Sequence, residues 1–306
     1  MGVYDVIVLG AGPAGLSAAV YATRYNLKLL VIGKGPALMS EAPEVCNYLG
    51  YPSISGTDMD NAFREHVEKL GAEIRQETLQ SLDKDGDIFV VKTDQGEYRS
   101  KTVIYAMGGT KRKMGLPEEQ KFMGRGVSYC ATCDAAFFRG KTVAVTGGSN
   151  SAAMAALVLS DVAEKVYIVY RRDKMRAFPS FMKKIEQKEN IEIIHNSLIK
   201  EIKGDKLVEG MVIENTETGE KKEIEVNGIF VEFGQAPNSG PARELGAETL
   251  ENGRIKVNED MTTSVRGLLA AGDVTSGSDK FDQVVTAAAE GAIAARSAYK
   301  IITEVD

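Results

Sequence analysis

The 306-residue sequence predicts an α/β protein made of two Rossmann-like three-layer domains with antiparallel β inserts. Three observations predict it. A strand, glycine turn, helix and strand open the chain; a second copy of that order begins near residue 143; and segments of alternating apolar residues lie between and after the copies. In the first copy, residues 6–9 read as a buried strand, Gly10-Ala11-Gly12-Pro13-Ala14-Gly15 as the turn, residues 14–25 as a small-residue helix and residues 29–32 as the next strand. In the second copy the strand is 143–145, the turn Gly147-Gly148-Ser149-Asn150-Ser151-Ala152, the helix runs to about 162 and the next strand is 166–169. Two such units in one chain point to two dinucleotide sites. Residues 88–93 and 207–215 alternate in polarity and follow or precede turns at Asp85-Gly86 and Thr218-Gly219, as antiparallel strands do. The tail carries Gly267-Leu268-Leu269-Ala270-Ala271-Gly272-Asp273 and then an alanine-rich helix over 283–299. No low-complexity linker separates these parts, so domain boundaries are expected in short ordered connections.

Composition narrows the function. A net charge of -6 without a long basic block argues against nucleic-acid binding. No basic start with a long apolar core marks a signal peptide, and no apolar stretch is long enough to cross a membrane, so a cytoplasmic protein is expected. Three cysteines, two of them in Cys130-Ala131-Thr132-Cys133, suit a reducing compartment where such a pair is catalytic or metal-binding. With only His66 and His195 as histidines and no second cysteine pair, a zinc site lacks ligands and no metal is expected. Redox chemistry remains.

The motifs carry that chemistry. Gly10 permits the tight turn, Gly12 lets the backbone approach a pyrophosphate, and Gly15 lets the helix pack close to the strand while its first N–H groups face the phosphates. In the second turn Gly147 and Ala152 stand where the first glycine and the last small residue belong, but Ser149 holds the middle position. Its hydroxyl is placed either to bond a phosphate or to crowd it. Arg171, Arg172 and Arg176 follow the next strand, where an acidic residue would favour NAD; guanidinium forks suit the 2'-phosphate of NADP, the alternative being a solvated basic loop. Cys130 and Cys133 are a helical turn apart, close enough for a disulfide if the first turn of a helix carries them, and the thiolate is the attacking species. Asp134 is positioned to move the proton of thiol exchange. Cys46 stands alone and is expected to be a small buried hydrophobe.

Together, Gly10-Ala11-Gly12-Pro13-Ala14-Gly15, Glu44-Val45-Cys46-Asn47-Tyr48, Gly126-Val127-Ser128-Tyr129-Cys130-Ala131-Thr132-Cys133-Asp134, Arg171-Arg172-Asp173-Lys174-Met175-Arg176 and Ala270-Ala271-Gly272-Asp273 resemble the low-molecular-weight thioredoxin reductases, which are FAD-dependent pyridine nucleotide-disulfide oxidoreductases. The resemblance spans nearly the whole chain, and the segment Ser40-Glu41-Ala42-Pro43 followed by Asn47-Tyr48-Leu49-Gly50 has an archaeal look. The resemblance implies an enzyme that passes electrons from NADPH through FAD and the Cys130/Cys133 dithiol to a thioredoxin or glutaredoxin-like protein. It implies an FAD domain in two parts, 1–112 and 243–306, flanking a pyridine-nucleotide domain at 113–242, and a homodimer whose domains rotate so that the dithiol alternately meets flavin and substrate. Residue by residue, it implies that Asn47 and Gln283 lie by the flavin and that Gly12, Gly272 and Asp273 serve FAD. Cys133 is then the thiol nearer the flavin, Cys130 the one that attacks the substrate and Asp134 the general acid.

The chain departs from the family in Pro36-Ala37-Leu38-Met39, where Gly-Gly-Gln-Leu is common near the flavin, in Ser149, and in Tyr170, where histidine is common. Some relatives draw electrons from ferredoxin or a deazaflavin, and that donor stays open, as does a flavin dithiol oxidase or a flavin-binding redox sensor that does not turn over. A ferredoxin-NADP reductase of related fold would lack the cysteine pair.

Overall fold

In the computed structural model the described residues are 2–42 and 44–304; Pro43, part of the segment with an archaeal look, lies outside them. The chain forms two compact units, the first of residues Met1–Thr110 with Ala236–Asp306, the second of Lys111–Gln235. The first unit begins with β1 (Tyr4–Leu9), α1 (Pro13–Arg24), β2 (Leu29–Ile32), a 3-10 turn (Leu38–Glu41), α2 (Gly56–Lys69), β3 (Ile74–Arg75), β4 (Leu79–Asp85), β5 (Ile88–Thr93), β6 (Glu97–Tyr105) and β7 (Gly109–Lys111). Then come α3 (Glu119–Phe122), β8 (Val127–Ser128), α4 (Ala131–Asp134), β9 (Thr142–Thr146), α5 (Asn150–Ser160), β10 (Lys165–Val169), α6 (Pro179–Glu186) and β11 (Ile191–Ile194). The second unit closes with β12 (Ser197–Lys203), β13 (Gly210–Asn215), β14 (Lys221–Glu225) and β15 (Gly228–Val231). β16 (Gln235–Pro237) pairs with β7 and returns the chain to the first unit, which ends in α7 (Gly240–Glu244), β17 (Leu268–Ala270) and α8 (Val284–Thr303).

In the first unit the sheet order is β3-β2-β1-β6-β5-β4, with β17 also beside β6. β1, β2, β3, β6 and β17 run parallel to their neighbours, while β4, β5 and the first half of β6 form an antiparallel meander. β1 is buried on both faces: Val6 and Val8 pack toward α1 and α8, and Ile7 and Leu9 pack on the opposite side with Leu82 and Phe89. That two-sided burial is why its sequence is a continuous apolar run and not an alternating one. α1 and α8 meet through alanines, Ala18 and Ala22 from one helix, Ala294 and Ala298 from the other. Contact is close enough that a Cβ built on Gly291 would lie 2.0 Å from the Ala14 carbonyl oxygen. Small residues in both helices are therefore a packing requirement.

The second unit stacks three layers. The parallel sheet β11-β10-β9-β15-β8 is central. α5 and α6 cover one face through Ala152, Ala156, Leu159 and Ile185, and the antiparallel sheet β12-β13-β14 covers the other through Ile199, Met211 and Ile213. The strand expected over 207–215 starts only at Gly210. Upstream of it Gly204 turns the chain at φ +143°, Leu207 is exposed, and Val208 N donates to the Arg125 carbonyl instead of to a ladder partner. No helix among the described residues is long and apolar enough to cross a membrane.

Candidate functional site

In the first unit the turn between β1 and α1 is shaped by its glycines. Gly10 has φ +109°, and a Cβ there would lie 2.1 Å from the Ala106 carbonyl oxygen; a Cβ on Gly15 would lie 1.8 Å from the Gly10 carbonyl oxygen. Only glycine fits either place. Gly12 caps α1 without a side-chain hydrogen bond, and Pro13, which has no N–H to satisfy, opens the helix. The remaining first-turn N–H groups have no intrahelical acceptor and are available to a phosphate. Around a Cβ built on Gly12 the nearest atom is the Ala37 Cβ at 3.9 Å, so the backbone there is open to close approach.

Asn47 and Gln283, 236 residues apart in sequence, are joined by Asn47 Nδ2 donating to Gln283 Oε1 at 2.8 Å. Gln283 is the N-cap of α8, held by a reciprocal cap with Thr286. Asp273 is half-buried in the loop that follows β17. Burial, reinforced by the charges of Asp282 and Glu290 and opposed by Arg254, pushes its carboxyl up to about 6. Arg254 pairs with both oxygens of Asp282, at 2.8 and 2.5 Å, which ties down the residue before Gln283. Glu290, buried in α8, accepts from Gly272 N at 2.7 Å and from Thr275 Oγ1 at 3.0 Å. Sequence reasoning singled out neither Arg254 nor Glu290. The one signal was that Glu290 is the only acid in the sequence of α8.

In the second unit Gly147, at φ +149°, would place a Cβ 2.3 Å from the Glu232 carbonyl oxygen, so the first position of this turn also demands glycine. Ser149 caps α5 with extended backbone, and its hydroxyl makes no cap hydrogen bond. The ring of Tyr170 covers Gly148: a Cβ there would lie 2.2 Å from it. Arg176 N donates to the Gly148 carbonyl at 2.7 Å and Phe178 N to Asn150 Oδ1 at 2.7 Å, so backbone bonds hold the arginine loop against the turn. Arg171, Arg172 and Arg176 are all exposed, while Met175 between them is buried and anchors the loop.

The same unit carries Cys130 and Cys133 as a disulfide with Cα atoms 5.3 Å apart. Cys130 is the N-cap of α4, and its sulfur accepts from Cys133 N at 3.2 Å. Cys130 N donates to Ser128 Oγ at 3.0 Å, and the preceding Tyr129 carbonyl accepts from Lys111 Nζ. Ala131, Ala135 and Phe138 are buried, which seats this short helical stretch while Cys130 and Asp134 stay half-buried and Cys133 is exposed. Cys46 departs from expectation: it is exposed. Val45 pairs with Ile54 and takes the buried place, so the next side chain points outward.

Two glycine-turn βαβ units and a vicinal redox pair define a flavin- and nicotinamide-type disulfide oxidoreductase, and the comparisons agree. The chain belongs to the pyridine nucleotide-disulphide oxidoreductase family, whose model matches residues 4–291. Within that family it is similar to thioredoxin reductases. That of Bacillus subtilis is 40% identical over 305 residues, covering 99% of this chain and 96% of the relative. The crystal structure of Lactococcus lactis thioredoxin reductase superposes with a TM-score of 0.95 at 37% identity, covering 99% of this chain and 100% of that one. T. acidophilum thioredoxin reductase gives 0.91 at 38% identity, covering 97% and 98%.

Proposed function

We propose that this chain is a thioredoxin-disulfide reductase that passes electrons from NADPH through FAD and the Cys130/Cys133 pair to a thioredoxin or glutaredoxin-like protein. The observation that carries the reading is the Cys130–Cys133 disulfide in a chain whose two units each present a glycine turn at a helix start. The first unit is the FAD domain and the second the pyridine-nucleotide domain. The residues fit these groups: the turn from Gly10 to Gly15 leaves its backbone open at Gly12, where the nearest atom to a built Cβ is 3.9 Å away, and the joined amides of Asn47 and Gln283 and the half-buried carboxyl of Asp273 supply polar groups. Gly272 brings Asp273 into place. Gly147, Ser149 and Ala152 hold the nicotinamide dinucleotide, and Arg171, Arg172 and Arg176 take its 2'-phosphate. FAD, when bound, supplies a two-electron carrier that accepts from a nicotinamide and donates to a disulfide.

The chain's own residues do the rest. Two electrons and one proton open the Cys130–Cys133 bond to a thiol and a thiolate. The Cys130 thiolate attacks one sulfur of the partner's disulfide, whose S–S bond breaks, and Asp134 gives a proton to the sulfur that leaves. Cys133, passing its proton to Asp134, then attacks the Cys130 sulfur; the mixed disulfide breaks, the internal disulfide is restored, and that proton goes to the partner's second sulfur, which leaves as a thiol. The Cys133 N–H that contacts the Cys130 sulfur is a donor to the attacking thiolate. We assign this work to a homodimer in the cytoplasm, where a disulfide reductase has substrates to keep reduced.

The test is anaerobic reduction of the purified flavoprotein, followed by bleaching of the flavin band, and steady-state reduction of oxidised thioredoxin. NADPH should drive both. Bleaching by reduced ferredoxin or a reduced deazaflavin but not by NADPH would reassign the donor, and no disulfide reduction with any donor would overturn the reading.

A further inference from the structure

α2 brings to the first glycine turn an ion pair that the proposed electron path does not use. Arg64 Nε donates to Asp60 Oδ2 at 3.1 Å, one helical turn away, and both side chains are largely buried. The other end of the guanidinium is spent on backbone. Nη2 donates to the Ala11 carbonyl at 3.2 Å, inside the glycine turn, and to the Gly35 carbonyl at 2.9 Å, in the loop after β2. Asp60 Oδ2 also accepts from Ala37 N at 3.3 Å, while Oδ1 is buried and accepts nothing from the described residues. Ala37 is the neighbour nearest to a Cβ built on Gly12, so turn and loop face one another with a single guanidinium bridging them. The start of α2 is pressed against the stretch that follows: a Cβ on Gly56 would lie 2.0 Å from the Met39 carbonyl oxygen. The loop held in this way contains Pro36-Ala37-Leu38-Met39, the stretch in which the chain departs from the family pattern.

We propose that Arg64, oriented by Asp60, is a positioning residue for the dinucleotide site of the first unit. It sets the spacing between the 10–12 turn and the 35–37 loop, so that FAD, whose place there rests on the function proposed above, meets a preset backbone. A planar guanidinium with several fixed donors bridges two carbonyls and a carboxylate at once; a lysine, with one flexible ammonium, holds them less firmly. Asp60 offsets the buried charge.

The experiment compares the full-length flavoprotein with Arg64→Met, Arg64→Lys and the double variant Asp60→Asn/Arg64→Met. The last leaves no unpaired buried charge. FAD release on dilution is followed by the rise in flavin fluorescence, and folding by far-UV circular dichroism at the same temperature. Release should be about tenfold faster or more in Arg64→Met and in the double variant, with Arg64→Lys between them and wild type. The far-UV spectra should match wild type. Release within about twofold of wild type in the double variant would overturn the proposal. So would altered far-UV spectra in both methionine variants, which would make the pair a support of the fold. A wild-type chain that takes up no FAD overturns the FAD reading together with this inference, whereas equal retention by wild type and variants overturns the inference alone.

Discussion

Cys130 and Cys133 exchange electrons only as a pair, because the mixed disulfide formed by one thiol is resolved by the other. Cys130→Ser and Cys133→Ser should each reduce turnover with oxidised thioredoxin to background while leaving the flavin absorbance of the purified protein intact. Near-normal turnover by either variant would end the assignment. Asp273 yields a second prediction, in the flavin-free chain. Its folded pKa of about 6 lies above the ordinary carboxylate value, so the folded state is penalised whenever the group is charged. The sign follows: the penalty is complete above about pH 6 and fades as pH falls toward the unfolded value. Asp273→Asn removes it and should raise stability by about 1 to 2 kcal/mol near pH 7.5, with the gain disappearing near pH 4, measured by thermal unfolding at both pH values. A gain that grows as pH falls would contradict burial of the charged carboxylate as the cause. At this scale the cysteine pair and the glycines were legible, because their chemistry depends on near neighbours. The exposure of Cys46 was not, since it depends on the pairing of Val45 with Ile54.

Between elements, the close seating of α8 on α1 links stability to the cofactor turn. Gly291 lies against the Ala14 carbonyl, and Ala14 is in the first turn of α1, the turn proposed above to hold FAD. Gly291→Ala therefore forces backbone against backbone and should cost about 2 kcal/mol of stability. Because the displaced element carries the glycine turn, FAD release should quicken as well. Unfolding and flavin fluorescence measured on the same sample check both, and an unchanged melting temperature would show that the helices can part without loss. The helices themselves were readable from their small, alanine-rich residues, but their mutual contact was not, since residues 14 and 291 are brought together only by packing. The same holds for Asn47 and Gln283 and for the hold of Arg64 on Ala11 and Gly35.

For the molecule as a whole, the proposed use of NADPH assigns its 2'-phosphate to the exposed arginines of the second unit. A 2'-phosphate carries close to two negative charges, and each charge-assisted hydrogen bond to it is worth about 1.5 to 3 kcal/mol. Arg171→Ala/Arg172→Ala should therefore lower the preference for NADPH over NADH by roughly a hundredfold, read from kcat/KM with each nucleotide. An unchanged preference would make these arginines a solvated loop. The fold class, the two glycine turns and the dithiol could be read directly from the residues in order. Strand and helix periodicity, positive-φ glycines and a two-residue spacing between thiols are local properties, written within a few positions of one another. Folding in three dimensions chose which carboxylates sit beside Asp273, which side chain covers Gly148, and which guanidinium ties the first glycine turn to the loop after β2. Those contacts join distant parts of the chain, and a close-packed interior selects them by shape and charge that no local stretch of sequence contains.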